Sequence, residues 1–291
     1  MSVLRLGVIA YPHLAVQRVE DAGWHNPYRL SDAHERFDVA LQHPLLDGVD
    51  VVVVLGDLAH FGDRASIRYL VDAVADDHRP AILLSGNHDV LTPGVRLEDE
   101  VRARGDAPVL SPFASTADAP AVKAFVAAGA GLAVHEVMAL TDRGPQPFDV
   151  TGSRLTEIDR SASFDVWLTH FPLLSFEVRC REARLLYSAH LSQLAPPPAV
   201  LPGEVGPVVV LSGHLHLRAT ATAANVLQLA FAALVEAPYE VAVVELDTER
   251  ASVAYRCASV VPPDAARLPV LDAAEGRWEF DPGSSRWSRH E

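Results

Sequence analysis

Apolar positions along the chain fall into two rhythms. Runs rich in valine, leucine and isoleucine occupy 3–10, 51–55, 81–85, 165–169 and 208–212, and each ends in a polar loop containing Gly, Asp, Asn or His. Short unbroken apolar runs of this kind are strands buried on both faces, as in a sheet with helices packed against it. Between them the spacing changes: "HERFDVALQHPLL" (34–46), "RASIRYLVDAVADD" (64–77) and "REARLLYSAHLSQL" (181–194) carry apolar residues three and four apart. These predict covering helices and an α/β core.

Beyond residue 213 the helical rhythm stops. Short apolar segments at 226–231, 240–246 and 252–258 follow one another across turn-formers, predicting an antiparallel run that completes a second sheet. Proline makes 111–120 and 195–207 loop-like. Residues 262–291 are expected to be a tail anchored by Trp278 and Trp287 on a single domain spanning 1–261. There is no internal repeat.

Composition narrows the functional classes. The 291 residues are 49% hydrophobic and 21% charged, which fits a folded globular chain and excludes disorder. No apolar run approaches the roughly 18–20 residues of a membrane span, and no secretory leader is visible, so a cytoplasmic location without membrane attachment is expected. Cys180 and Cys257 are the two cysteines; with no close-spaced partners they argue against disulfides and thiolate metal sites. The formal net charge of −14 disfavours a grip on extended nucleic acid but leaves room for a small phosphorylated substrate.

The histidines carry the chemistry. His13, His60, His88, His170, His214 and His216 all stand in polar loops directly after expected strands, where open α/β sheets build their sites. The loops read "AYPHLAV", "GDLAHFGD" (56–63), "SGNHDV" (85–90), "LTHFPL" (168–173) and "SGHLHL" (212–217). Singly, each is weak. Gly56-Asp57 is commonly a turn with a helix-capping carboxylate, and a lone His170 is commonly a structural histidine. Together, Asp57, Asn87 and the histidines form an oxygen and imidazole donor set suited to Fe, Mn or Zn.

This ordered set resembles the calcineurin-like metallophosphoesterase family, whose pattern runs Asp-x-His, Gly-Asp-x-x-Asp, Gly-Asn-His-Asp/Glu, a lone His, then Gly-His-x-His. The match spans residues 7–216. The resemblance implies a four-layer α/β/β/α sandwich of two mixed sheets and two divalent or mixed-valence ions across loops at one edge. It implies that Asp57 bridges both ions, that Asn87, His170 and His214 complete the second, and that His13 and His216 serve the first. It makes His88 the catalytic histidine, supported by Asp89. Two cations ~3.5–4 Å apart can acidify a bridging water, orient the phosphoryl group and neutralise charge during in-line attack.

Two departures fall in one half of that site. Tyr11 stands where the pattern has its first Asp, and His60 where it has its second. One outcome is a one-ion or inactive protein. The preferred expectation is that His60 replaces the lost carboxylate, giving a first site of His13, Asp57, His60 and His216. The purple acid phosphatase branch, with a tyrosine ligand at that fourth position after Gly-Asp, shows that the position reaches the metal. Tyr11 is then either a phenolate ligand, which favours ferric iron, or a hydroxyl that donates to bound phosphate; the second is preferred.

Weaker candidates for the pocket are His25, Asn26, Tyr28 and Arg29, with Phe61 and Asp63 at its rim. His34, His43, His78, His135, His190 and His290 receive no role. The expected activity is hydrolysis of a small phosphomonoester or phosphodiester. The alternatives are a nucleotide or cyclic-nucleotide phosphodiesterase and, from another class, a binding scaffold that has lost its chemistry.

Overall fold

The computed structural model describes residues 3–16, 23–105, 109–110, 122–127, 130–135, 138–141, 144–147, 165–187, 206–247, 249–265 and 267–290; between 109 and 147, and at 165, it describes backbone only. Two mixed sheets lie face to face. The first contains β1 (Val3–Ile9), β2 (Val51–Leu55), β3 (Ala81–Leu84) and β4 (Val109–Leu110) in parallel. The second takes β5 (Val122–Ala127), β6 (Ala130–His135), β9 (Asp165–Thr169), β10 (Val208–Ser212), β11 (Ala219–Ala223) and β12 (Val226–Ala230), while β7 (Met138–Thr141) and β8 (Gly144–Pro147) form a separate hairpin. The chain then returns to the first sheet with β13 (Glu240–Asp247), β14 (Ser252–Ser259), β15 (Glu275–Asp281) and β16 (Arg286–His290).

Strand alternation builds two cores from each unbroken apolar run. Val53, Leu55, Ile82 and Leu84 point between the sheets, where they meet Leu168, Leu211 and Leu229. Val52, Val54, Ala81 and Leu83 point outward, onto Phe37 of α1 (Ala33–Leu41) and Ile67, Leu70 and Val74 of α2 (Arg64–Asp76). Burial on both faces explains why these strands show no polar alternation. On the far side, Phe176, just before α4 (Glu177–Glu182), and Cys180 within it pack on Leu215, Leu217 and Ala230, while α3 (Leu97–Arg104) lies beside α2. The four layers are therefore helix, sheet, sheet, helix, as expected.

Three expectations change. The helix expected over 181–194 is instead α4; Arg184, at φ 53°, lies just past its end, and 188–194 fall outside the described residues. The late apolar segments do not all complete the second sheet. β12 joins it, parallel to β10, but β13 crosses over and pairs antiparallel with β1 from Val3–Asp247 to Ile9–Val241. A strand apolar on both faces satisfies either sheet, so its pattern could not choose between them. Finally, 275–290 form a β-hairpin rather than a tail: Trp278 stacks on Tyr255, and Trp278 and Trp287 are both buried in the inter-sheet core.

Candidate metal centre

The strand-end loops converge because backbone bonds stitch them together. The His13 and Leu14 N–H groups donate to the carbonyls of Asp57 and Leu58 at 3.0 and 2.9 Å, and the His60 N–H donates back to Leu14 at 2.9 Å. The Gly213 N–H donates to the His170 carbonyl at 3.0 Å. Glycine is required at three of these loops for closeness. A Cβ on Gly56 would lie 2.1 Å from His170 Nδ1, one on Gly86 would lie 2.2 Å from Asp57 Oδ1, and one on Gly213 would lie 2.0 Å from the Tyr11 hydroxyl. Real side chains do not approach so near.

Five side-chain-bearing residues here hold left-handed backbone: Tyr11, His13, Asp57, His214 and His216, with φ from 43° to 71°. Each such residue costs on the order of 1–3 kcal/mol, a strain that concentrates at functional sites.

Asp57 sits at the centre and is buried. Its Oδ1 accepts from the His88 N–H at 2.9 Å, while its Oδ2 lies 3.7 Å from His13 Nε2 and 3.6 Å from His170 Nε2. To one side, His13 Nε2 is 3.3 Å from His216 Nε2. To the other, Asn87 Oδ1 is 3.0 Å from His170 Nε2 and 3.2 Å from His214 Nδ1. Burial would raise the pKa of Asp57, but His170, His88 and His13 together with the His88 amide outweigh it and hold the carboxyl below its usual range. Burial pushes His13, His170 and His214 down, against the pull of Asp57, which favours imidazoles with a lone pair available for a cation. Burial, with Asp57 and Tyr28 adding to it, pushes the Tyr11 phenol well up and keeps its proton on.

These residues fit cations. Metal–nitrogen bonds of about 2.1 Å at tetrahedral angles separate two nitrogens by about 3.4 Å, and the His13–His216 spacing is 3.3 Å. On the other side of Asp57, His170 Nε2 and His214 Nδ1 both close on Asn87 Oδ1, at 3.0 and 3.2 Å, the crowding of donor atoms that a shared cation relieves.

Two expected roles are altered. His60 does not gather with Asp57 and His216. Its Nδ1 lies 3.3 Å from His13 Nδ1, the opposite side of that ring from the one facing Asp57, so it groups with His13 and His88 instead. Asp89 does not brace His88. Its carboxylate accepts from the amides of Leu58, Ala59 and Gly86 at 2.7–3.0 Å, tying the second loop to the third. Burial pushes Asp89 up to about 7, with Asp57 adding to this and the three amides opposing it. His88 is held through Nδ1, which sits 2.7 Å from the His60 carbonyl and donates to it.

The weaker candidates divide. Tyr28 lies on His13 and His216, with ring centroids 5.1 and 5.2 Å away, and Phe61 meets His60 at 4.5 Å. His25 approaches through its Nε2, 3.1 Å from the Leu215 carbonyl. Arg29 pairs instead with Asp264, and Asn26 bonds to the Arg267 carbonyl. Asp63 caps α2, accepting from the Ser66 N–H at 2.9 Å. Two residues escaped the sequence reading. Trp24 stacks near His216, and Glu236, fully buried, has Oε2 3.0 Å from His216 Nδ1. The signal for Glu236 was an acid inside the apolar stretch "FAALVEAPYEVAVV", which it shares with Glu240.

Residues 24–218 match the family model described as calcineurin-like phosphoesterase. The chain belongs to that family and is a metal-dependent phosphoric ester hydrolase. Its fold is similar to a dimetal phosphatase from Danio rerio, 11% identical over 89% of this chain and 97% of that one, at a TM-score of 0.61. It is also similar to the purple acid phosphatase PPD1 of yellow lupin (13% identical, 97% of this chain and 55% of that one, TM-score 0.54). A third is GAP50, the anchor in the inner membrane complex of Plasmodium (14%, 97% and 92%, TM-score 0.54). No curated protein matches in sequence. Among the described residues, no helix is long and apolar enough to cross a membrane.

Proposed function

We propose that the chain hydrolyses a small phosphate ester at a centre of two cations bridged by Asp57. The observation that carries this reading is the near-equal distance of Asp57 Oδ2 from His13 Nε2 and His170 Nε2, 3.7 and 3.6 Å on its two sides. His13, Asp57 and His216 would hold one ion, and Asp57, Asn87, His170 and His214 the other. His60 is a flanking candidate ligand with His13 and His88. Fe, Mn or Zn at these positions would supply Lewis-acid charge for the phosphoryl oxygens and acidify the attacking water.

The chain's own groups do the rest. His88, its Nδ1–H fixed on the His60 carbonyl, presents Nε2 to donate a proton to the departing alkoxide. The Tyr11 hydroxyl, buried and holding its proton, is a donor for bound phosphate. Trp24, Tyr28 and Phe61 form an aromatic flank, which favours a substrate with a flat leaving group and makes a nucleotide ester the second reading.

Protein purified without chelators should contain two equivalents of Fe, Mn or Zn per chain and turn over nitrophenyl phosphate or bis(nitrophenyl) phosphate. No bound metal and no turnover with added ions would refute the reading. His88→Asn should lower kcat by about 10²–10⁴-fold with metal content unchanged. Tyr11→Phe should leave both metal content and the visible spectrum as they are; loss of a charge-transfer band would make Tyr11 a phenolate ligand.

A further inference from the structure

We infer that Glu236 is a positioning residue for the His13–Asp57–His216 half of the centre, one carboxylate that both orients His216 and fastens an aromatic cover over it. The inference rests on the proposed two-cation reading and adds to it a residue outside every motif loop.

Both oxygens of Glu236 are committed. Oε2 lies 3.0 Å from His216 Nδ1, and Oε1 accepts the backbone N–H of His25 at 2.5 Å and that of Asn26. The side chain is fully buried, and among the described residues no lysine or arginine is paired with it. A buried carboxylate with no cationic side chain beside it is costly unless positive charge lies close by. The nearest route to such charge is through the His216 ring. With the proton on Nδ1 toward Glu236, Nε2 carries the bare lone pair, and Nε2 is the atom 3.3 Å from His13 Nε2. Carboxylates behind ligand histidines fix the tautomer and raise ring basicity in this way. Asp57 is the one carboxylate in the His13–Asp57–His216 group, so the charge reaching it through His216 strengthens an otherwise imidazole-rich half.

The other oxygen acts on substrate access. The segment it anchors places Trp24 and Tyr28 nearly parallel to the His216 ring, at 26° and 23° with centroids 6.2 and 5.2 Å away. Ring orientation and cover are therefore set by the same buried group.

Two variants separate the two ties. In Glu236→Gln the two backbone donors keep the amide oxygen, so the amide NH₂ faces His216 and drives its proton onto Nε2. In Glu236→Ala both ties are lost. Titration with Mn²⁺ should show wild type holding two ions, whereas Glu236→Gln holds the first about 10–100-fold more weakly. In metal-free protein, hydrogen exchange at the His25 and Asn26 amides should stay slow in wild type and Glu236→Gln and become fast in Glu236→Ala. Wild-type affinity for both ions in Glu236→Gln, or slow exchange in Glu236→Ala, overturns the inference. A wild-type protein that binds a single ion overturns the two-cation reading instead, and the metal-free exchange then decides the anchoring role by itself.

Discussion

An Asp57→Asn protein is expected to fold, to bind at most one ion, and to lose on the order of a thousandfold in kcat/KM, about 4 kcal/mol of transition-state stabilisation. The substitution is nearly isosteric. Asn keeps an oxygen for the His88 N–H, which Asp57 Oδ1 accepts at 2.9 Å, so the loop after β3 stays in place. What disappears is the negative charge between two groups of imidazoles. Burial works against protonation of those imidazoles, and no imidazole carries the negative charge that would compensate a cation. Metal analysis, steady-state kinetics and thermal unfolding with and without Mn²⁺ check the prediction. Wild type should gain melting temperature on loading, because a ligand that binds the native state stabilises it, and the variant should gain little. Full activity in Asp57→Asn would remove the basis for a bridged centre.

The second large effect is expected at a residue with no side chain. Gly86→Ala would place a methyl 2.2 Å from Asp57 Oδ1, 2.4 Å from the Asp57 amide nitrogen and 2.6 Å from His170 Cε1. The amide is backbone and cannot rotate away, so the loops after β2 and β3 must separate. Overpacking of this kind costs about 1–3 kcal/mol of stability. The greater loss is chemical: Asp57 and His170 part, and activity falls at least about a hundredfold, in line with the sensitivity of catalysis to small misplacements. Urea unfolding and metal content measured side by side would separate the two. A variant as active as wild type would show that the loops tolerate separation.

Much of this molecule was legible in its sequence, for identifiable reasons. The runs at 3–10, 51–55, 81–85, 165–169 and 208–212 became β1, β2, β3, β9 and β10 within a residue, because both faces of each strand are buried and the apolar signal is undiluted. The histidines after those strands converge because strand ends on one edge of the sheets are neighbours in space. Pairing partners were harder. β13 pairs with β1 from more than 230 residues away, and nothing local in "EVAVVEL" favours one sheet over the other. Trp278 and Trp287 lie in a polar stretch, and only alternation, with Trp278 inward and its neighbours Arg277 and Glu279 more open, marks their strands. Ring geometry was beyond reach. Sequence spacing brings His60 to the site but cannot tell that it meets the Nδ1 side of His13 while Asp57 and His216 gather at Nε2. Asp89 illustrates the same limit, since adjacency to His88 suggested a partnership that its bonds to three backbone amides replace.

The left-handed backbone at Tyr11, His13, Asp57, His214 and His216 has a thermodynamic meaning for the bound state. Free chains rarely visit that conformation, so an unfolded or locally opened loop would scatter the donors of His13, Asp57, His214 and His216 far from one another. The surrounding sheets hold them there continuously, which moves the ordering of the donors from the moment of cation capture to the moment of folding. On the proposed two-cation reading, an incoming ion would therefore meet a shell of donors that is already convergent, and its binding free energy would not be drained by arranging the protein.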